Sequence, residues 1–248
     1  MEHKEYKRLV PGAETAILLV HGIVGTPDQF DRFIPLIPEG VSVWTLLLDG
    51  HGKGVRDFSR TSMKKWEAQV EAAVEELAAT CERVHIVAHS MGTLFAIEQV
   101  VKNPKVTSLF LMAIPVDVLL RKRHIESAMK VYLDKVHPED TMAVATRAAS
   151  SITPGKNPFA YIGWVPRYLE LFHKIHRTRK LLPQLGSNTI VYQSRRDEMV
   201  SPRSIKRLEK YPQINMTVLE KSQHFCYEKK DLEALMGGFE NYIREWVL

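Results

Sequence analysis

Cysteine is nearly absent from this sequence. Two occur among 248 residues, Cys81 and Cys226, too few for the disulfide framework of a small secreted domain, so a reducing compartment is the simpler expectation. Long apolar runs are missing too. None approaches the roughly 20 residues that a membrane helix needs, which argues against stable membrane insertion. The opening stretch Met1-Glu2-His3-Lys4-Glu5-Tyr6-Lys7-Arg8 is polar and lacks the apolar segment of a signal peptide, so a cytoplasmic location is expected. Nor does charge of one sign dominate: 34 basic and 29 acidic side chains leave a formal +5, too little to single out a partner. The basic runs Arg121-Lys122-Arg123-His124 and Lys174 to Lys180 read most simply as solvated helix faces, the other reading being contact with an anionic lipid surface or acidic substrate. Without interleaved aromatics, nucleic acid is not an expected partner. Internal repeats and low-complexity segments are also lacking.

What remains is the balance of a globular α/β protein, 45% hydrophobic and 25% charged. Short apolar runs suited to strands covered on both faces occur at Ala16 to Val20, Val41 to Leu48, Val84 to Ala88 and Thr107 to Ala113. Glu5 to Val10, Asn188 to Ser194 and Asn215 to Leu219 complete the strand candidates. Helices are predicted from about Pro27 to Leu36, after the cap residue Ser62, from Ser90 or Met91, from Ser201-Pro202, and from about Asp231 to Trp246. Strands alternating with helices imply a mainly parallel sheet with helices on both sides. The alternation breaks between about Asp117 and Pro183, a helical and irregular stretch too long for an ordinary loop, read as an insertion over the sheet.

The strongest chemical signal is Val87-Ala88-His89-Ser90-Met91-Gly92, set between a strand and a helix. A serine at such a turn is pushed out of the sheet, and small residues two positions either side let the backbone close around it. This is the nucleophile elbow G-x-S-x-G with Ala88 in place of the first glycine. A serine hydroxyl needs a base, and the base an orienting acid. Asp197, just past one strand, and His224, after the last, both emerge at the sheet edge where Ser90 lies, in the chain order this elbow requires. Asp117 and Glu198 are rival acids. The oxyanion of an acyl-transfer intermediate needs two convergent amides. Met91 supplies one, and Ile23, in the loop Val20-His21-Gly22-Ile23-Val24-Gly25, is assigned the other. His21 and His51 are read as loop-ordering residues.

Taken in order, His21-Gly22, Gly50-His51-Gly52, His89-Ser90-Met91-Gly92, Asp197 and His224 resemble the signature of α/β-hydrolase-fold serine hydrolases. The likeness runs over nearly the whole chain and is nearest to small bacterial carboxylesterases and monoacylglycerol lipases. Ala88 for glycine and Asp49 where proline often precedes G-H-G depart from the pattern without touching the chemistry. The resemblance implies an α/β-hydrolase fold with an eight-stranded, mostly parallel sheet, and a cap inserted after the sixth strand. The division is then a core of residues 1–116 and 184–248 with a cap at 117–183.

On this reading Ser90, His224 and Asp197 carry a two-step acyl transfer on short- to medium-chain esters, monoacylglycerols among them. The partner is a small ester or lipid, and no cofactor is called for. His137, His173 and His176 form no compact ligand set, and the last two belong on a helix surface. Met129, Tyr132, Phe159, Trp164 and Phe172 are candidates to line an acyl tunnel under the cap, or else only bury the cap against the core. Cys226 is expected as a buried thiol. Amide, lactone or carbon–carbon bond hydrolysis, acyl transfer and a non-catalytic binding role stay open as alternatives, since a fold does not fix an activity.

Overall fold

The computed structural model describes residues 3–119, 122–133, 135–155 and 157–248, with the side chains at 122–125, 142 and 158 outside that description. The basic run Arg121-Lys122-Arg123-His124 therefore lies outside the described side chains. Among the described residues, seven strands form one sheet: β1 (Tyr6–Arg8), β2 (Thr15–Val20), β3 (Ser42–Leu46), β4 (Arg83–His89), β5 (Val106–Met112), β6 (Thr189–Ser194) and β7 (Asn215–Leu219). Their order is β1-β3-β2-β4-β5-β6-β7. Only the edge strand β1 is antiparallel to its neighbour. All seven were legible as apolar or alternating runs. The eighth strand, implied by resemblance alone, has no counterpart among the described residues. Before Tyr6 the described chain is His3-Lys4-Glu5, with no apolar face to bury.

Burial on both faces explains the continuous apolar runs. In β2, Ala16, Leu18 and Val20 enter one core cluster and Ile17 and Leu19 the other. β4 alternates likewise, with Ile86 and Ala88 on the first side and Val87 on the second. The first cluster is covered by α2 (Met63–Thr80) and α3 (Met91–Lys102), the second by α8 (Lys229–Tyr242) and the turns after β2. Each fully buried Leu, Ile or Val contributes about 1.5–3 kcal/mol relative to exposure. Ser62 caps α2 as predicted, its hydroxyl accepting from the Lys65 amide at 3.2 Å. The predicted helix over 27–36 is instead two 3₁₀ turns, Pro27–Phe30 and Ile34–Leu36, because Pro35 has no N–H to donate and its ring blocks the preceding turn. A short helix, α1 (Val55–Arg60), was not foreseen.

Between β5 and β6 the chain is helical: α4 (Lys122–Tyr132), α5 (Thr141–Ala149), a 3₁₀ turn (Pro158–Gly163) and α6 (Trp164–Arg179). α7 (Arg203–Leu208) follows β6. α6 is tied to the sheet's helices by charge. Lys174, expected on a solvated face, is 1% exposed; its Nζ donates to Glu67 of α2 at 2.7 Å and to Glu98 of α3. His173 and His176 do lie exposed, as predicted. Lys174 was misread because a helical period does not show which turn of a basic run meets two carboxylates. Among the described residues, no helix is long and apolar enough to cross a membrane.

Removing one member of a buried ion pair strands the other charge. Lys174→Ala is expected to lower unfolding stability by about 3–5 kcal/mol in urea titration. A loss below about 1 kcal/mol would contradict the burial of this ammonium group.

Candidate active site

The turn between β4 and α3 holds Ser90 at φ 52°, ψ −123°. A non-glycine residue there stores about 1–3 kcal/mol of strain, so its surroundings must over-determine it. The Ser90 amide donates to the Met112 carbonyl at 2.9 Å, and the Ser90 carbonyl accepts from the Thr93 hydroxyl at 2.6 Å. A Cβ added at Gly92 would lie 2.2 Å from the Val20 carbonyl oxygen, and one at Gly22 would lie 2.8 Å from the Ser90 Cβ. Both positions therefore exclude a side chain. Ala88, at the place of the elbow's first glycine, is fully buried between Val20 and Leu111, so its methyl is absorbed by the core.

Loops after β6 and β7 bring the predicted partners to this serine. His224 Nε2 is 3.1 Å from Ser90 Oγ, and His224 Nδ1 is 2.7 Å from Asp197 Oδ2. The other Asp197 oxygen accepts from the amides of Met199 at 2.8 Å and Val200 at 2.7 Å. Burial alone would raise the Asp197 pKa, but the His224 charge and these hydrogen bonds outweigh it and hold it below the ordinary value. An ionised Asp197 requires Nδ1 to donate, which leaves Nε2 as the acceptor for the serine hydroxyl proton. For His224 itself, burial pulls the pKa down, yet Asp197 and then Glu198 lift it above 6.5.

Glu198 and His89 complete this framework, and neither role was legible. Glu198, weighed only as a rival acid, accepts the backbone amide of His224 at 3.0 Å and is 6% exposed. His89 Nε2 donates to the His224 carbonyl at 3.2 Å, and burial drives its pKa down to about 3, keeping it neutral. Both contacts go to backbone, which leaves no trace in a residue pattern. Asp117 is engaged elsewhere, with Arg179 at 3.0 Å and Arg207 at 2.7 Å.

The loop after β2 turns tightly, Gly25 N–H donating to the Gly22 carbonyl at 3.0 Å. Ile23 is the second residue of that turn, so its amide takes no part in the closing bond. Met91 opens α3, where a backbone N–H has no partner within the helix. His21 orders the loop: Nδ1 donates to the Gly22 carbonyl at 2.8 Å and Nε2 accepts from the Leu48 amide at 3.1 Å. Burial lowers its pKa to about 4. His51 packs edge-on to His21 and Phe58.

The cap candidates do not gather at the site. A cavity of about 390 Å³ borders His224 and His89, and none of the five lines it. Trp164 and Tyr132 instead pack edge-to-face on each other and against Tyr161, and Trp164 packs on Phe58 with its indole N–H donating to the Val55 carbonyl. Met129, Phe159 and Phe172 are 56%, 75% and 44% exposed. Aromatic composition marks a helix that buries something, not which side of it meets a ligand. Cys226 is likewise exposed rather than buried, because its loop turns outward as the Gln223 amide donates to its carbonyl at 2.9 Å. Among the described residues, no three His, Cys, Asp or Glu side chains cluster as metal ligands would.

A strained serine at a strand–helix turn of a parallel sheet, facing a buried histidine and carboxylate in the order Ser, Asp, His, defines a class of hydrolase fold. The sequence matches the Alpha/beta hydrolase family over residues 17–231, and the chain belongs to that family. No curated protein sequence matches the chain at a significant level. Among solved structures, it is similar to a lipolytic enzyme from the metagenome-derived pair LipS and LipT, at 18% identity and TM-score 0.69 with 98% of both chains covered. It is also similar to the monoacylglycerol lipase of Paleococcus ferrophilus, at 16% identity and TM-score 0.67, covering 98% of this chain and 99% of that one. A carboxylesterase structure from the thaumarchaeon Nitrososphaera gargenis matches at 17% identity and TM-score 0.65, covering 97% and 96%. At such identities the likeness is one of fold.

Protonated His224 cannot accept the serine proton. Since Asp197 and Glu198 raise its pKa, activity is expected to fall with acidification, with the acid-limb midpoint of kcat/KM lying above pH 6.5. A midpoint well below 6.5, measured with a neutral ester, would contradict the arrangement.

Proposed function

We propose that this chain is a serine carboxylic ester hydrolase that works through an acyl-enzyme. One observation carries the reading: an unbroken hydrogen-bond chain, Ser90 Oγ to His224 to Asp197, whose members are all at most 6% exposed. His224 Nε2 takes the Ser90 proton as Oγ bonds to the ester carbonyl carbon. The amides of Ile23 and Met91 hold the resulting oxyanion. Asp197 stabilises the imidazolium, and the carbon–alcohol oxygen bond then breaks as His224 returns the proton to the leaving oxygen. Water repeats the sequence on the acyl-serine, releasing acid and free enzyme.

The substrate class is a small neutral ester of short to medium acyl chain, monoacylglycerols included, hydrolysed in the cytoplasm. Residues 117–183 serve as the cap over a core made of 1–116 and 184–248. The lipase and esterase likenesses lend the fold to this reading, while the chemistry rests on the site itself.

The test is hydrolysis of p-nitrophenyl esters from acetate to palmitate by the wild type and Ser90→Ala. Loss of at least about 10³-fold in kcat is expected in the mutant. Folded wild type inert toward the whole series would sink the esterase reading.

A further inference from the structure

The outer face of α6 carries a pattern that ester hydrolysis does not use. Phe159 and Ile162 of the preceding 3₁₀ turn, with Val165, Leu169 and Phe172 of the helix, are between 44% and 75% exposed. Every exposed residue described from Phe159 to Phe172 is apolar. Val165, Leu169 and Phe172 are spaced i, i+4 and i+7, so they form one stripe of the helix. The opposite stripe, with Trp164, Leu171 and Ile175 buried, already packs α6 onto the core. The outward row is thus surplus to folding, and a contiguous apolar row on a surface marks a place of contact.

Beyond Phe172 the same helix turns basic. His173, His176, Arg177 and Lys180 are all exposed. A second basic element stands beside them. Asp117 accepts from Arg179 of α6 at 3.0 Å and from Arg207 of α7 at 2.7 Å, so one carboxylate ties the end of α6 to α7. α7 in turn exposes Arg203 and Lys206. The acids near α6 are engaged within the molecule: Glu170 accepts from the Arg167 guanidinium and the Met63 amide, and Glu67 and Glu98 hold the buried Lys174. Apart from Glu209 at the end of α7, the outward charge of these two helices is cationic.

Charge decides between occupants that an apolar row alone would admit. A second copy related by a two-fold axis would set basic end against basic end, or basic end against apolar stripe. The first repels and the second desolvates charge without a partner. A protein partner would call for polar contacts along the row, since protein interfaces carry about one hydrogen bond per 100–200 Å², and the exposed residues from Phe159 to Phe172 supply no polar side chain. A lipid surface asks for what is present. Apolar side chains enter the acyl boundary to a depth of about 5–10 Å, and cations meet the headgroup phosphates above them. At about 1.5 Å of rise per residue, Lys180 stands about 22 Å from Val165 along the helix. A tilted α6 therefore holds its first turns among acyl chains and its last among headgroups.

We infer that α6, the turn before it and α7 form a docking face for an anionic lipid surface, the apolar row entering the bilayer boundary and the basic residues lying on headgroup phosphates. The contact is peripheral, for no described helix can cross a membrane. It does not depend on the ester-hydrolase reading.

The test is co-sedimentation of the full chain with sucrose-loaded vesicles of phosphatidylcholine, either pure or mixed with phosphatidylglycerol. Partition onto the mixed vesicles is expected to exceed that onto pure phosphatidylcholine by about ten-fold, and to fall several-fold at high salt as the headgroup charge is screened. Val165→Ser/Leu169→Ser should weaken it by about ten-fold or more, and so, on the basic half, should Lys180→Glu/Lys206→Glu. All four side chains are exposed, so Tm should change little. Phe159→Ser, on the turn ahead of the helix, replaces the first pair should that pair fail to fold.

Equal or absent sedimentation with the two kinds of vesicle would overturn the proposal, as would binding that none of these variants weakens. So would a concentration-dependent dimer in sedimentation velocity that Val165→Ser/Leu169→Ser dissolves, which would give the face to a second copy. Hydrolysis of p-nitrophenyl esters in solution is measured without vesicles, so the two readings fail separately.

Discussion

At Gly92 the helix after Ser90 comes so close to the end of β2 that even a methyl group would collide with the Val20 carbonyl. That contact fixes where α3 starts, and with it the turn that forces Ser90 into a strained conformation. Gly22 meets the same serine from the other side, so two separate loops converge on one residue with no side chain between them. Everything else at the site is arranged around a hydroxyl whose place is set by backbone packing. Its own rotamer need only choose a direction.

The histidine side is built by a different means. His224 sits on a loop and is held through its main chain, amide to Glu198 and carbonyl to His89, while Asp197 secures the ring. The pinned backbone sets where the imidazole starts from, and Asp197 fixes the ring's orientation and tautomer. Asp197 is itself fixed by two amides of its own loop. The charges of Asp197 and Glu198 thus raise the pKa of a ring that burial alone would hold neutral.

How far the sequence could be read follows from which of these devices leave a residue signature. The strands were legible because burial on both faces demands continuous apolar runs, and Ser90, Asp197 and His224 because each falls at the carboxyl end of such a run. Gly22 and Gly92 were legible because close approach tolerates no side chain. Glu198 and His89 were not, since a side chain that binds backbone can do so from almost any sequence. Pro35 divides the predicted helix over 27–36 into two 3₁₀ turns, since its ring and missing N–H block an α-helical turn. Between the two readings of the cap candidates the residue pattern could not choose: an amphipathic helix declares that it has an apolar face, while its partner is decided by the packing of α6 on α1 and of α4 on α5. Lys174 shows the converse, a charge whose burial depends on two carboxylates from helices distant in sequence.

The outward turn at Cys226 makes the molecule convenient to watch. Cys81 is 3% exposed at the end of α2, so the chain carries one accessible thiol, on the loop two residues beyond His224. A thiol-reactive fluorophore or spin label would go to that position without any engineered cysteine. It would place a reporter on the segment that carries the imidazole facing Ser90.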